Sequence, residues 1–432
     1  SSRREGLTMA DMFDVMVVGS GPAGCAAAML LGREGLKVAL LEAHRDVNYY
    51  KRLCTHSVRS SALPTLRRLG LDRALEERGA VRQRERIWTR YGWIREVRPN
   101  WLPSHGYNIS RRVMDPILRT TAAAVPGVEL MLGARVTDLT FDRSGRVDGA
   151  AATIDGSTRR MGAKLVIGAD GYSSNVAKLA SLPGKSSPNN RFGYFAEYRN
   201  VTVPPSCTTA LWLTGRDAAY VFCNEVGVTI LAAMPAKEHL PEFRQNREAA
   251  LLNVMADLPD GPDLTLAERV SDVIGTADYP FITRKRIVAP GVALIGDAAM
   301  VGDPLWATGC GWAFQTAEWL CDAVADALRD GTTRDIDAAA RRYQRQHKQR
   351  LLFHQFMNMD FAKKLTLNPL QRLLFAGAVW DTKVAEQVVA VGSRNRSPLA
   401  FFSPLLLLRA AIAQRRRRVA DPGLESRRAD LS

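Results

Sequence analysis

Apolar positions near the start of the chain come in continuous runs, and those toward its end fall at helical spacing. Phe13 to Val18 (FDVMVV) is an unbroken, β-branched run of the kind a strand buried on both faces carries. It is followed by a glycine-rich turn, an Ala-rich helical stretch from Cys25 to Arg33, and a second strand, Lys37 to Leu41 (KVALL). From Val128 to Ile167 short strands alternate with turns at Asp142-Arg-Ser-Gly145 and Asp155-Gly156, which predicts a meander returning to the parent sheet. A second β-rich block between about 192 and 235 predicts a separate antiparallel sheet bearing aromatic residues. Val292 to Ile295 reads as another strand, about Gly311 to Arg329 as a long helix, and about 332 to 418 as helical and strongly basic. No internal repeat of 20 to 50 residues is visible.

The expected fold class is α/β. A Rossmann-like βαβ nucleotide-binding domain spans 11–185, interrupted by a substrate-domain insertion at about 75–105, and resumes over 281–330. An antiparallel substrate domain occupies 186–280, and a helical basic region 331–432. Residues 1 to 10 are polar and charged, carry no visible secretory signal and include Met9 as a candidate natural start; they are set aside from the fold.

With 46% hydrophobic and 24% charged residues, the 432-residue chain can bury a sizeable core, which excludes chain-wide disorder. Six cysteines (Cys25, Cys54, Cys207, Cys223, Cys310 and Cys321) lack CxxC or metal-type spacing. We therefore expect a reduced, cytoplasmic chain with no disulfide framework and no metal site. The formal charge of +15 favours an acidic ligand, an anionic membrane surface, an acidic carrier protein or nucleic acid. Nucleic acid is not expected, because no supporting fold or aromatic-basic motif accompanies the charge.

The chemistry begins at Gly19-Ser-Gly21-Pro-Ala23-Gly24, between the first strand and the first helix. There the first glycine makes the tight turn, the second lets backbone approach a pyrophosphate, and the third permits close helix packing. Glu42 ends the second strand about 20 residues on, and a carboxylate there suits an unphosphorylated adenosine ribose, as in FAD or NAD.

Further along, Gly168-Ala-Asp170-Gly171-Tyr-Ser-Ser-Asn-Val176 resembles the GADG-x-x-S-x-V segment of flavoprotein monooxygenases related to p-hydroxybenzoate hydroxylase. Gly296-Asp297-Ala-Ala resembles their second flavin motif, and Ser110-Arg111-Arg112-Val-Met-Asp115 their R-x-x-L-D helix start. The resemblance covers about residues 12 to 325; Ala177 stands where relatives carry Arg. It implies bound FAD, with Asp170 near the pyrophosphate, Asp297 on the ribityl chain, Arg111 (Arg112 second) reaching the cofactor, and Pro304 and Gly309 lining the flavin side of the pocket. It also implies a monooxygenase, a hydroxylase or epoxidase that transfers oxygen from a flavin C4a-hydroperoxide to an apolar or aromatic natural-product-like substrate. On that reading the chemistry belongs to the cofactor, no side chain is assigned as catalytic, and NADPH or NADH docks transiently, since no second GxGxxG unit is present.

Two branches compete. The segment from Met300 to Ala313 resembles flavin-dependent halogenases, but the lysine and tryptophan pair of a halogenase are missing: there is no Lys between Lys51 and Lys164, and Tyr220-Val-Phe222-Cys replaces the tryptophans. Tyr49-Tyr-Lys51-Arg-Leu-Cys54-Thr-His56 is similar to the K-x-C-G-G segment of geranylgeranyl reductases, with Thr55 and His56 in place of the glycines. The alternative function is therefore a flavin-dependent reductase or dehydrogenase of prenyl-type substrates. Cys54 and His56 would then lie in a loop over the flavin; a buried thiol and a structural histidine are the plainer reading. Phe195, Trp212, Tyr220, Phe222 and Met234 are candidates for an apolar substrate pocket, or for ordinary core.

Ser403-Pro404 opens a leucine-rich helix ending in Arg415 to Arg418. From 404 to 418 it spans about 22 Å, short of a bilayer core of roughly 30 Å. It either docks on the protein or lies at a membrane surface or on an acidic carrier protein.

Overall fold

The computed structural model describes residues 12–420 apart from 96, 98, 205, 206 and 303, with side chains as far as Arg415. Two compact units emerge, each assembled from separated stretches of chain. The first draws on the segments up to Ala80, Ile109–Pro188 and Pro280–Leu352; the second on Val81–Asn108, Asn189–Tyr279 and the chain from Phe353 onward.

The first unit is built on a mixed sheet whose parallel core runs, in spatial order, Val292–Leu294, Ser157–Gly168, Met12–Val18, Val38–Glu42 and Val128–Leu132. These strands are apolar without alternation because helices cover such sheets on both faces. The Ala-rich helix Pro22–Arg33 has every residue from Pro22 to Gly32 buried, so small side chains are what let it sit close to the sheet. Ser157–Gly168 serves two neighbours in succession. Its first half pairs antiparallel with Val147–Ile154, which pairs in turn with Arg135–Phe141, and its second half pairs parallel with Met12–Val18. The predicted meander is this arrangement. The long helix after the Gly-Asp motif runs Gly309–Asp330, slightly longer than its periodicity suggested.

The second unit contains an antiparallel sheet formed mainly by Gly193–Arg199, Thr229–Met234, Ala218–Cys223 and Thr209–Leu213, to which Glu85–Thr89 adds in parallel. Strand alternation separates its residues into two faces. One face carries Tyr194, Ala196, Trp212, Val221 and Leu231, which form a core with Phe243 and Leu251 of the helices Leu240–Gln245 and Arg247–Ala256. Toward the C-terminus come Pro369–Ala378, Thr382–Gly392 and Pro404–Ala420, the last starting at the proline that the Ser-Pro signal marks. Gly377 touches Ala410 so closely that a Cβ there would lie 2.8 Å from the Ala410 Cα. Among the described residues no helix is long and apolar enough to cross a membrane.

Trp212 is fully buried, meets Trp93 edge to face at 5.4 Å and donates its indole N–H to the Pro259 carbonyl at 2.8 Å. Truncating it removes both packing and a satisfied hydrogen bond. Trp212→Ala is expected to lower stability by about 3–5 kcal/mol, measured by denaturant unfolding; a loss below about 1 kcal/mol would contradict this account of the core.

Candidate functional site

The glycine turn is a steric necessity here. Gly19 has φ +102°, and a Cβ on it would stand 2.5 Å from the Ala169 carbonyl oxygen. A Cβ on Gly24 would lie 1.7 Å from the oxygen of Gly19. Any larger residue at either position forces apart the first strand, its helix and the chain at 168–170. Gly21 is different: nothing lies within 4 Å of its Cβ position. It stands at the start of the twelve-residue helix Pro22–Arg33, whose N-terminus has no side-chain cap. Ala23, buried in the first turn, brings its methyl to 3.0 Å from the Cβ position of Gly296. The first peptide N–H groups of a helix and its dipole thus open onto free space, the setting in which helices bind phosphate.

Beside the turn lies a buried ladder of charges. Glu42, at the end of Val38–Glu42, accepts from the Ser20 hydroxyl and amide and from the His44 amide. Arg119 donates to the Ser20 hydroxyl at 2.7 Å and to the carbonyls of Val47 and Tyr49. Two turns earlier on the same helix (Arg111–Ala123), Arg111 pairs with Asp115 at 2.6 Å, both side chains almost wholly buried. Burial lowers the Arg111 pKa, but Asp115 and the nearby thiols outweigh it and hold the guanidinium above its ordinary value. Asp115 also accepts from the Lys51 amide, and the Lys51 ammonium lies 3.3 Å from Asp297. The sequence reading placed Arg111 at the cofactor; the arginine bonded to the glycine turn is Arg119, which it missed. Its signal was the spacing 111, 115, 119, opposite charges on one buried helical face.

Asp170 turns its carboxylate to the Ser174 hydroxyl and to the amides of Asn175 and Val176, tying down the short helix behind it. Pro304 begins a single 3-10 turn to Trp306, and Gly309 is the first residue of the following helix, with open space around its Cβ position. Cys310, on that first turn, lies close enough to Cys54 for each thiol to shift the other. The two are driven apart: Cys54 falls well below the ordinary thiol range, chiefly through Cys310, while Cys310 rises. Burial pushes Cys25, Cys223 and Cys321 up instead. His56 is buried, accepts the Arg111 amide on Nδ1 at 2.9 Å and has φ +62°, a left-handed conformation that glycine favours.

Of the five pocket candidates in the second unit, Trp212 belongs to the helix-covered face. Phe195, Tyr220, Phe222 and Met234 share the other, and the register sets Phe195, Ala232, Tyr220 and Leu211 side by side in one row across it.

The model of the FAD binding domain family matches residues 12–352. The chain belongs to this family. It is a FAD-dependent oxidoreductase. The uncapped helix N-terminus and the open space at Gly21 fit a dinucleotide pyrophosphate. Digeranylgeranylglycerophospholipid reductase 1 of Methanococcoides burtonii is 27% identical over 337 residues, covering 74% of this chain and 76% of its own. A menaquinone reductase of Mycolicibacterium smegmatis is 34% identical over 170 residues, 38% of this chain and 39% of that protein. Among solved structures, a flavin-dependent brominase matches with TM-score 0.71 at 19% identity, over 95% of this chain and 99% of that one. A geranylgeranyl bacteriochlorophyll reductase-like protein of Thermoplasma acidophilum matches with TM-score 0.66 at 19% identity, over 98% and 100%. These two likenesses concern the fold.

Gly24→Val is expected to purify without flavin, since its side chain must displace the Gly19 backbone, and Asp297→Ala to lose flavin on dilution; absorbance at the flavin band per mole of protein reads both. Cys54 should alkylate with a pH midpoint well below that of an ordinary thiol, because its thiolate forms as pH rises through a lowered pKa. A rate that climbs only near pH 9.0, the unperturbed value, would reject the paired assignment.

Proposed function

We propose that this oxidoreductase saturates carbon–carbon double bonds in prenyl chains, in place of the oxygen transfer that its monooxygenase-like motifs first suggest. The observation that carries the reading is the backbone at His56. It keeps the left-handed conformation of a glycine at the position, two residues after Cys54, where the K-x-C-G-G segment of prenyl reductases has its last glycine. Supporting it is the extent of the similarity to digeranylgeranylglycerophospholipid reductases, which runs over about three quarters of both chains.

Saturating a C=C bond takes two electrons and two hydrogens, of which bound reduced FAD supplies both electrons and one hydrogen. The other hydrogen arrives as a proton. Cys54, whose pKa Cys310, His56 and Arg111 lower, is the readier proton donor of the two thiols, and we assign it the protonation of the second carbon. Arg111 favours the thiolate left behind, and Asp115 keeps Arg111 in place. NADPH or NADH, or a reduced protein, serves as electron donor.

The test is to reduce the purified flavoprotein anaerobically with dithionite, add a digeranylgeranylglyceryl phospholipid and analyse the lipid by mass spectrometry. Gain of hydrogen pairs without oxygen is expected, together with a loss of about 100-fold in Cys54→Ala, within the range general acid catalysis contributes. An unchanged lipid, with substrate-dependent incorporation of oxygen once air is admitted, would restore the monooxygenase reading.

A further inference from the structure

We infer that the last helix, Pro404–Ala420, docks the enzyme on an anionic lipid surface through an outward apolar face. A helix packed on a protein normally buries one face and exposes polar residues on the other. Here the inward face is Leu406, Ala410 and Ala413, all buried, with Ala410 seated on Gly377 of Pro369–Ala378. The outward face should be polar, yet it holds Leu405, Leu408 and Ile412, spaced three and four residues apart and 68%, 58% and 44% exposed. Phe402, in the turn just before the helix, is 64% exposed and Leu399 is 49% exposed. Five large apolar side chains on one short stretch form a patch that water disfavours.

Charge selects the occupant. The helix sequence carries Arg409 and Arg415 to Arg418 and no acidic residue. Arg409 is paired with Asp381, while Arg415 is exposed. An exposed apolar face on a helix whose sequence ends in a cluster of arginines complements a bilayer interface, where leucines enter the acyl boundary and guanidinium groups meet lipid phosphates. A second copy of this chain would bring the same arginines against one another across a symmetric contact, which like-charge repulsion opposes. The helix is too short to span, so it lies in the plane of the surface. This inference stands on the surface alone and goes beyond the proposed reaction.

The experiment is co-sedimentation of the intact flavoprotein with vesicles of phosphatidylcholine alone or mixed with phosphatidylserine. Binding is expected to the mixed vesicles, at least tenfold stronger than to the neutral ones, and to weaken with salt. The triple variant Leu405→Glu, Leu408→Glu, Ile412→Glu should lose it with its circular dichroism and Tm unchanged. Replacing Arg415 to Arg418 by Gln should weaken it more than tenfold, and serves as the second arm if the first variant misfolds. Wild-type protein that stays in the supernatant with both vesicles overturns the inference. So does sedimentation velocity showing a dimer that the triple variant abolishes, which would assign the face to a second copy. Neither readout depends on turnover, so failure here leaves the reaction untouched, and failure of the reaction leaves this surface standing.

Discussion

The first unit depends on a contact between backbones. The oxygen of Gly19 occupies the space where Gly24 would carry its Cβ, and the Cα of Gly19 faces the carbonyl of Ala169. Strand, helix and the loop after Gly168 therefore meet at van der Waals distance with no side chain between them. Such an approach leaves the peptide N–H groups of the helix start at the surface of the junction, unscreened by side chains. The neighbouring charges follow from it. Ser20 can reach Glu42 and Arg119 because the turn that carries it is this tight, and Arg119 in turn fixes the loop at Val47 and Tyr49.

This junction was legible in the sequence because its parts are local: glycines at fixed spacing, a strand before, a helix after, an acid at the end of the next strand. Arg119 was harder to place: the spacing 111, 115, 119 marks it as part of a buried charged face, but its bond to Ser20 spans 99 positions and no local pattern names that partner. The nearness of Cys54 and Cys310 joins segments still more remote in the chain. Alternation in the second sheet could be read from sequence as a pattern, but which parity faces the helices is set by packing, and Trp212 fell on the opposite side from the four residues first grouped with it. His56 was misleading for another reason. Side-chain identity argued against a glycine-like position there, whereas the backbone retained the glycine-like angle.

Oxygen insertion and double-bond saturation make different demands on a protein. Insertion needs a dry, apolar site and no acid of its own. Saturation needs, besides the hydride, a proton delivered to the second carbon, which calls for an acid within reach of the substrate. The same superfamily fold carries reductases, monooxygenases and halogenases, so the residues around the thiols distinguish among them better than the fold does.

The interleaving of the two units bears on how the protein is made. The strand Val292–Leu294 pairs with the second half of Ser157–Gly168, and Asp297 follows it at once. A ribosome must therefore deliver about two thirds of this sequence before the sheet gains its last parallel strand. Until then the early strands, apolar on both faces, wait with an open edge while an entire foreign sheet is synthesised between them. Such long-range pairing folds slowly and exposes sticky intermediates, so chaperone demand during synthesis, and the supply of FAD to nascent chains, should govern the yield of active enzyme more than the stability of the finished fold does.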